Sequence, residues 1–208
     1  MVYEIPKITL LPFTKLWIKK IEGTENLPKA PFIIAANHSS YMDHFALCNI
    51  VVPKYNKKLH FLAKKEHFDR FFERMWHIYA GAIPLDRQAG GKKALKWAMK
   101  ALKQGKIIGI YPEGTRTLNG KIQQGKTGIA RLALASKVQV VPVGITGNFE
   151  ILPKGSYIPK LKKATVNIGK PLDFSNHFKK RVTKKLLRQI TATIMKEIAK
   201  LSNQKYKK

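Results

Sequence analysis

Pro31-Phe32-Ile33-Ile34-Ala35-Ala36-Asn37-His38-Ser39-Ser40-Tyr41-Met42-Asp43 is the stretch whose reading decides the fold. The small and apolar residues Pro31 to Ala36 fit a short buried strand, and the segment from Tyr41 to about Val52 has helical character. A histidine therefore falls where a strand ends, and a carboxylate falls in the first turn of the next helix. Imidazole ionises near neutrality, and a neighbouring carboxylate can fix which ring nitrogen holds the proton. The same residues also fit a helix cap, with Ser40 as N-cap and Asp43 three positions on.

Further short apolar runs follow along the chain: His60 to Ala63, Ala82 to Leu85, Lys106 to Tyr111, Val138 to Ile145, and Ala164 to Ile168. Helical patterns alternate with them. Glu66 to Tyr79 carries Phe68, Phe71, Phe72, Met75 and Trp76, an aromatic stripe that reads as core-facing and could also touch lipid. Lys92 to Gln104 is amphipathic and ends at Gly105. Thr127 to Ser136 is again helical, and from about Asn176 apolar residues recur at helical spacing as far as Leu201. Alternation of this kind predicts an α/β fold: a single layered domain with a central, mostly parallel or mixed sheet flanked by helices. Pro142 suggests an edge or an irregularity in its strand.

Residues 1–22 combine Ile8, Leu10, Leu11, Phe13, Leu16, Trp17, Ile18 and Ile21 with Lys15, Lys19 and Lys20. They are expected to form a basic amphipathic segment that contacts a membrane or packs on the domain, which then spans residues 23–208. No apolar run is long enough to cross a bilayer, and no signal-peptide pattern is present. A peripheral location on the cytoplasmic face of the cell membrane is the expectation.

The 208 residues carry 40 Lys and Arg against 12 Asp and Glu, a formal charge of +28. Such a field favours an anionic partner: nucleic acid, an anionic membrane surface or an acidic carrier protein. The single cysteine, Cys48, excludes an internal disulfide. It falls on the apolar helix and reads as core. The spacing of His38, Asp43 and His44 matches no zinc pattern, so no metal is expected.

Open α/β sheets place ligand sites at strand ends. Three ends carry polar motifs: Asn37-His38, Asp86-Arg87, and Pro112-Glu113-Gly114-Thr115-Arg116. Two converging guanidinium groups would hold a phosphate monoester, and a nearby histidine would deprotonate a hydroxyl on the same molecule. These parts suggest group transfer to a phosphorylated alcohol.

The motif His38-x-x-x-x-Asp43 resembles the signature of the glycerophospholipid acyltransferases, the family of 1-acylglycerol-3-phosphate acyltransferases. Gly81 to Arg87 resembles that family's second motif, Tyr111 to Arg116 its third, and Val141-Pro142-Val143-Gly144 its fourth, all in the family's order. Thr117 stands where many relatives have serine. The resemblance implies transfer of a fatty acyl chain from a thioester, acyl-CoA or acyl carrier protein, to the hydroxyl of a lysophospholipid, 1-acylglycerol-3-phosphate. The product would be phosphatidic acid, and no further cofactor is needed. It implies that His38 is the general base and Asp43 its orienting acid. Arg116 and Arg87 would bind the acceptor's phosphate. Glu113 and Gly114, with Thr115 between them and Arg116, would shape the acceptor pocket, and Pro142 would belong to a wall near the acyl donor. Another lysolipid, or glycerol-3-phosphate, is the alternative acceptor.

Two other classes compete. Gly120 to Thr127 satisfies the P-loop pattern Gly-x-x-x-x-Gly-Lys-Thr, but no strand leads into its first glycine. The charge would suit nucleic acid, yet the aromatics form no stacking platform and no known module is present, so no nucleic-acid partner is expected.

Overall fold

The computed structural model describes residues 8–86 and 91–206. At its centre lies β2 (Ile33–Ala36), all four residues of which are buried. On either side, β5 (Ile107–Ile110) and β6 (Val140–Thr146) pair with it in parallel, with Ile34 opposite both Gly109 and Val141. Beyond β5, β3 (Leu59–Lys64) and β4 (Ile83–Leu85) continue in parallel. Beyond β6, β7 (Ala164–Ile168) runs antiparallel, and β1 (Ile18–Glu22) pairs in parallel with β7. The order is β1-β7-β6-β2-β5-β3-β4, a mixed seven-stranded sheet.

Among the described residues the α-helices are α1 (Leu10–Lys15), α2 (Met42–Tyr55), α3 (Phe71–Tyr79), α4 (Lys92–Lys103), α5 (Gly128–Ser136), α6 (Asn148–Ile151) and α7 (Lys184–Leu201). One sheet face packs Ile33, Ala35, Ile108 and Ile110 against α4, α5 and α7; the other packs Ile34, Ala36, Val141 and Val143 against α2. Cover on both faces explains why the central strands read as unbroken apolar runs rather than alternating ones. Among the described residues, no helix is long and apolar enough to cross a membrane.

Four expectations change on contact with the structure. Ile18–Glu22, read as the end of the amphipathic segment, is an edge strand, so that segment runs directly into the sheet. The aromatic stripe of α3 is not core: Phe71, Phe72 and Met75 face solvent. The C-terminal helix begins only at Lys184, where the Thr183 hydroxyl accepts the Leu186 N–H at 3.1 Å and fixes its start. Val182, before that cap, is exposed.

Pro142 lies in the interior of the sheet, opposite Ala35, and not at its edge. The irregularity it signalled is real. The antiparallel pairing slips by one residue between Val143↔Ile168 and Val140↔Leu172. The missing N–H of proline falls in that gap, and its carbonyl accepts Gly169 N–H at 2.9 Å.

Candidate active site

The parallel strands deliver their C-terminal ends to one edge of the sheet, as open α/β sheets do at ligand sites. His38 leaves β2 there, Tyr111 to Arg116 leave β5, and Lys64 leaves β3. A cavity of about 860 Å3 opens along these ends, lined by His38, Tyr41, Gly114, Thr115 and Arg116, with Phe61 and Tyr111 among its apolar walls.

His38 Nδ1 stands 2.9 Å from Asp43 Oδ2. The Asp43 side chain is completely buried, whereas the His38 ring keeps a small exposed edge on the cavity. The same Oδ2 accepts the backbone N–H groups of Ser39 at 2.7 Å and Ser40 at 2.8 Å, and Oδ1 accepts Asn148 Nδ2 at 2.8 Å. A buried carboxylate with this many donors is fixed in place, and only the imidazole among its partners reaches the cavity. Because a carboxylate only accepts, the shared proton belongs on Nδ1, which leaves Nε2 as the free base.

Capping and chemistry coincide at this turn. Ser40 Oγ accepts Met42 N–H at 3.0 Å and donates to Leu152 O at 2.8 Å, while Asp43 reaches back to the Ser40 N–H. The helix start that Ser40 organises is thus what aims Asp43 at His38.

The imidazole is also sandwiched. Its ring stacks on Tyr111, with centroids 3.9 Å apart and planes 10° from parallel. Phe61 stacks in turn with Tyr111, and its ring lies so close over Gly109 that a Cβ there would come within 2.4 Å of it. Glycine in the middle of β5 is therefore what lets this ring stack form. His44 packs edge-on to His38, and burial among these rings, then repulsion from His38, pushes its pKa down to about 3. It is a neutral wall of the site rather than a second base.

Glu113 sits behind the cavity. It is 2% exposed; Oε1 accepts His38 N–H at 2.8 Å and Oε2 accepts Gln123 N–H at 2.9 Å. Burial raises its carboxyl to about 7 despite these two bonds, which favour the anion. Glu113 clasps two loops together, and the His38 carbonyl returns the tie by accepting Thr117 N–H at 2.9 Å.

Arg116 holds its guanidinium 3.6 Å above the Tyr41 ring. Its Nη1 is buried and finds no hydrogen-bond partner among the described residues. A buried guanidinium nitrogen without a partner retains the capacity to donate to an anion. Lys154 lines the same cavity. Of the residues expected to form the site, the structure brings His38, Asp43, Gly114, Thr115 and Arg116 to or beside the cavity. Arg87 lies outside the described residues. Pro142 is packed against Gly169 on the α7 side of the sheet and does not line the cavity. Asn148 and Lys154 were not singled out from the sequence. Asn148 lies just past β6, and no motif in the sequence marks it.

The P-loop reading fails on its hydrogen bonds. A phosphate cradle needs free backbone N–H groups. Here Ile122 N–H donates to Gln204, Gln123 N–H to Glu113, and Lys126 N–H to the Pro112 carbonyl.

Comparisons with known proteins identify the family. The Acyltransferase family model matches residues 19–146. The chain is 31% identical over 186 residues to the 1-acyl-sn-glycerol-3-phosphate acyltransferase of Bacillus subtilis, covering 88% of each protein. It is 32% identical over 153 residues to the chloroplastic 1-acyl-sn-glycerol-3-phosphate acyltransferase LPAT1 of Arabidopsis thaliana, covering 41% of that longer protein. The crystal structure of the 1-acyl-sn-glycerophosphate acyltransferase of Thermotoga maritima superposes over all of this chain and 81% of its own, with a TM-score of 0.74 at 29% identity. By its family model, its relatives and its fold, the chain belongs to the Acyltransferase family.

Proposed function

We propose that this enzyme transfers a fatty acyl chain from a thioester, acyl-CoA or acyl carrier protein, to the free hydroxyl of 1-acylglycerol-3-phosphate. The observation that carries the reading is the His38–Asp43 pair on the wall of a cavity also lined by Arg116, whose buried Nη1 has no partner among the described residues. One group takes a proton; the other waits for an anion. A phosphorylated alcohol presents both needs in one molecule.

In the proposed reaction the acceptor's phosphate docks on Arg116, with Arg87 as its second guanidinium. His38 Nε2 removes the hydroxyl proton as the oxygen attacks the thioester carbonyl carbon. Asp43 holds the ring in the required tautomer and stabilises the imidazolium. Collapse of the tetrahedral intermediate breaks the carbon–sulfur bond, and the leaving thiolate takes the proton back from His38. The products are phosphatidic acid and a free thiol. The +28 charge supports work at the anionic cytoplasmic leaflet, where each basic residue near the surface contributes about 1 kcal/mol.

The test is an acyl-transfer assay of the purified protein with a panel of lysolipids and both donor types. Phosphatidic acid and free thiol should form together with at least one donor. No transfer to lysophosphatidate with either donor would overturn the proposal, and transfer to a different lysolipid would reassign the acceptor.

A further inference from the structure

The rim of the cavity is built the wrong way round for water. On α3 the polar Glu73 and His77 stand on the side that lines the cavity, Glu73 half-exposed there beside His67 and Arg70, while Phe71, Phe72, Met75 and Ile78 face solvent. A helix packed on a water-soluble surface places its apolar stripe inward. Here Phe72 is 85% exposed and Phe71 71%. The loop between α6 and β7 repeats the inversion: Tyr157 is 91% exposed and Leu161 95%, with Ile158 beside them. That loop is joined to α1, because Trp17 Nε1 donates to Lys160 O at 3.0 Å and Lys163 Nζ donates to Leu16 O. On α1, Phe13 and Leu16 also face solvent.

These three segments share a location. Leu10 and Leu11 from α1, Lys154 from the loop, and Glu73 and His77 from α3 all line the one cavity that holds His38. Among the described residues, most large apolar side chains facing solvent belong to these segments. Exposed cations lie on or next to the same segments: Arg70 and Arg74 at α3, Lys154, Lys160, Lys162 and Lys163 in the loop, and Lys15 in α1. Apolar side chains and cations exposed on the same segments fit the boundary between anionic headgroups and acyl chains.

We infer that α1, the 153–163 loop and α3 together form a three-part seat that sinks into an anionic bilayer, so that the cavity opens onto lipid. The inference rests on the proposed lipid acceptor and extends it. The bilayer contact includes α3 and the 153–163 loop, far beyond the N-terminal segment. A lipid acceptor then enters the cavity along the rim without crossing water.

The test is sedimentation with vesicles of mixed phosphatidylglycerol and phosphatidylcholine, and with vesicles of phosphatidylcholine alone. The wild-type chain should partition onto the mixed vesicles and more weakly onto the neutral ones. The pairs Phe71→Ser/Phe72→Ser and Ile158→Ser/Leu161→Ser replace solvent-facing side chains, so their melting temperatures should match wild type. Each pair should lower partition about tenfold or more. Transfer to vesicle-borne lysophosphatidate should fall in parallel, and transfer to a short-chain, dissolved lysophosphatidate should not. Unchanged partition in both pairs overturns the seat. So does a wild-type dimer that the substitutions convert to monomers at unchanged vesicle binding, which would make the face a contact between copies. If no variant transfers acyl groups to the dissolved acceptor, the reaction reading fails while the partition data still judge the seat.

Discussion

The floor and the rim of the cavity break opposite rules. On the floor, polar groups are buried: Asp43, Asn148 and Glu113 are each at most 2% exposed, and each meets its partners inside the protein. On the rim, bulky apolar groups face outward. A buried polar group costs stability unless it is fully hydrogen-bonded, so the floor is rigid by necessity. The rim has no such demand, and its cost is relieved only by a partner. On the proposed function, fixed chemistry below and adaptable contact above would separate the task of reacting from the task of meeting lipid.

That separation can be broken from the floor. His38→Ala should lower kcat about a thousandfold or more, equally for dissolved and vesicle-borne acceptors, with an unchanged melting curve. Near-wild-type turnover would remove His38 from the reaction. Next in size, Asp43→Asn should cost about a hundredfold, because an amide must compete for the donors that now hold the carboxylate. A variant that keeps its rate would show that His38 needs no orienting partner. Arg116→Ala should raise the KM for lysophosphatidate about tenfold or more with a smaller change in kcat. Arg116→Lys should recover only part of this, since an ammonium lacks the guanidinium fork. An unchanged KM would place the phosphate elsewhere.

The smallest effects are on stability, and they have opposite signs. Glu113 has its pKa raised to about 7, so the folded chain binds this proton more tightly than the unfolded chain. Its contribution is complete below about pH 4.5 and is lost as the pH rises to about 7. His44 has its pKa lowered to about 3, so its contribution is present above about pH 6.5 and is lost as the pH falls. Glu113→Gln should flatten the neutral side of the stability–pH curve and His44→Phe the acid side. Each should shift melting by on the order of 5 °C across its window. A curve that keeps its shape in both variants would mean that these two groups carry none of the pH dependence.

Much of the floor could be read from the sequence because each part announces itself locally. His38 and Asp43 are five residues apart, and the Tyr111 to Arg116 loop follows directly on an unbroken apolar strand. What escaped reading depends on distance along the chain or on direction in space. Asn148 reaches Asp43 across 105 residues, and nothing in its neighbourhood hints at that contact. The resemblance made Glu113 part of the acceptor pocket, whereas its side chain bonds to the backbone N–H groups of His38 and Gln123. The stripe on α3 was visible, but periodicity gives only the existence of an apolar face. Whether that face turns inward is decided by the polar residues Glu73 and His77 that the cavity takes instead. For the same reason β1 was missed: a five-residue edge strand with two lysines looks amphipathic in either conformation.

The Asn37 side chain both donates to and accepts from Ile145, 108 residues away. With the Asn148 bond to Asp43, it ties the His38–Asp43 turn to the far end of β6. During synthesis, therefore, the ribosome releases the histidine long before it releases the groups that orient it. A nascent chain ending before residue 145 carries all of the first motif and none of its brace. Activity should appear as a step once β6 and α6 have emerged, rather than growing as the chain lengthens.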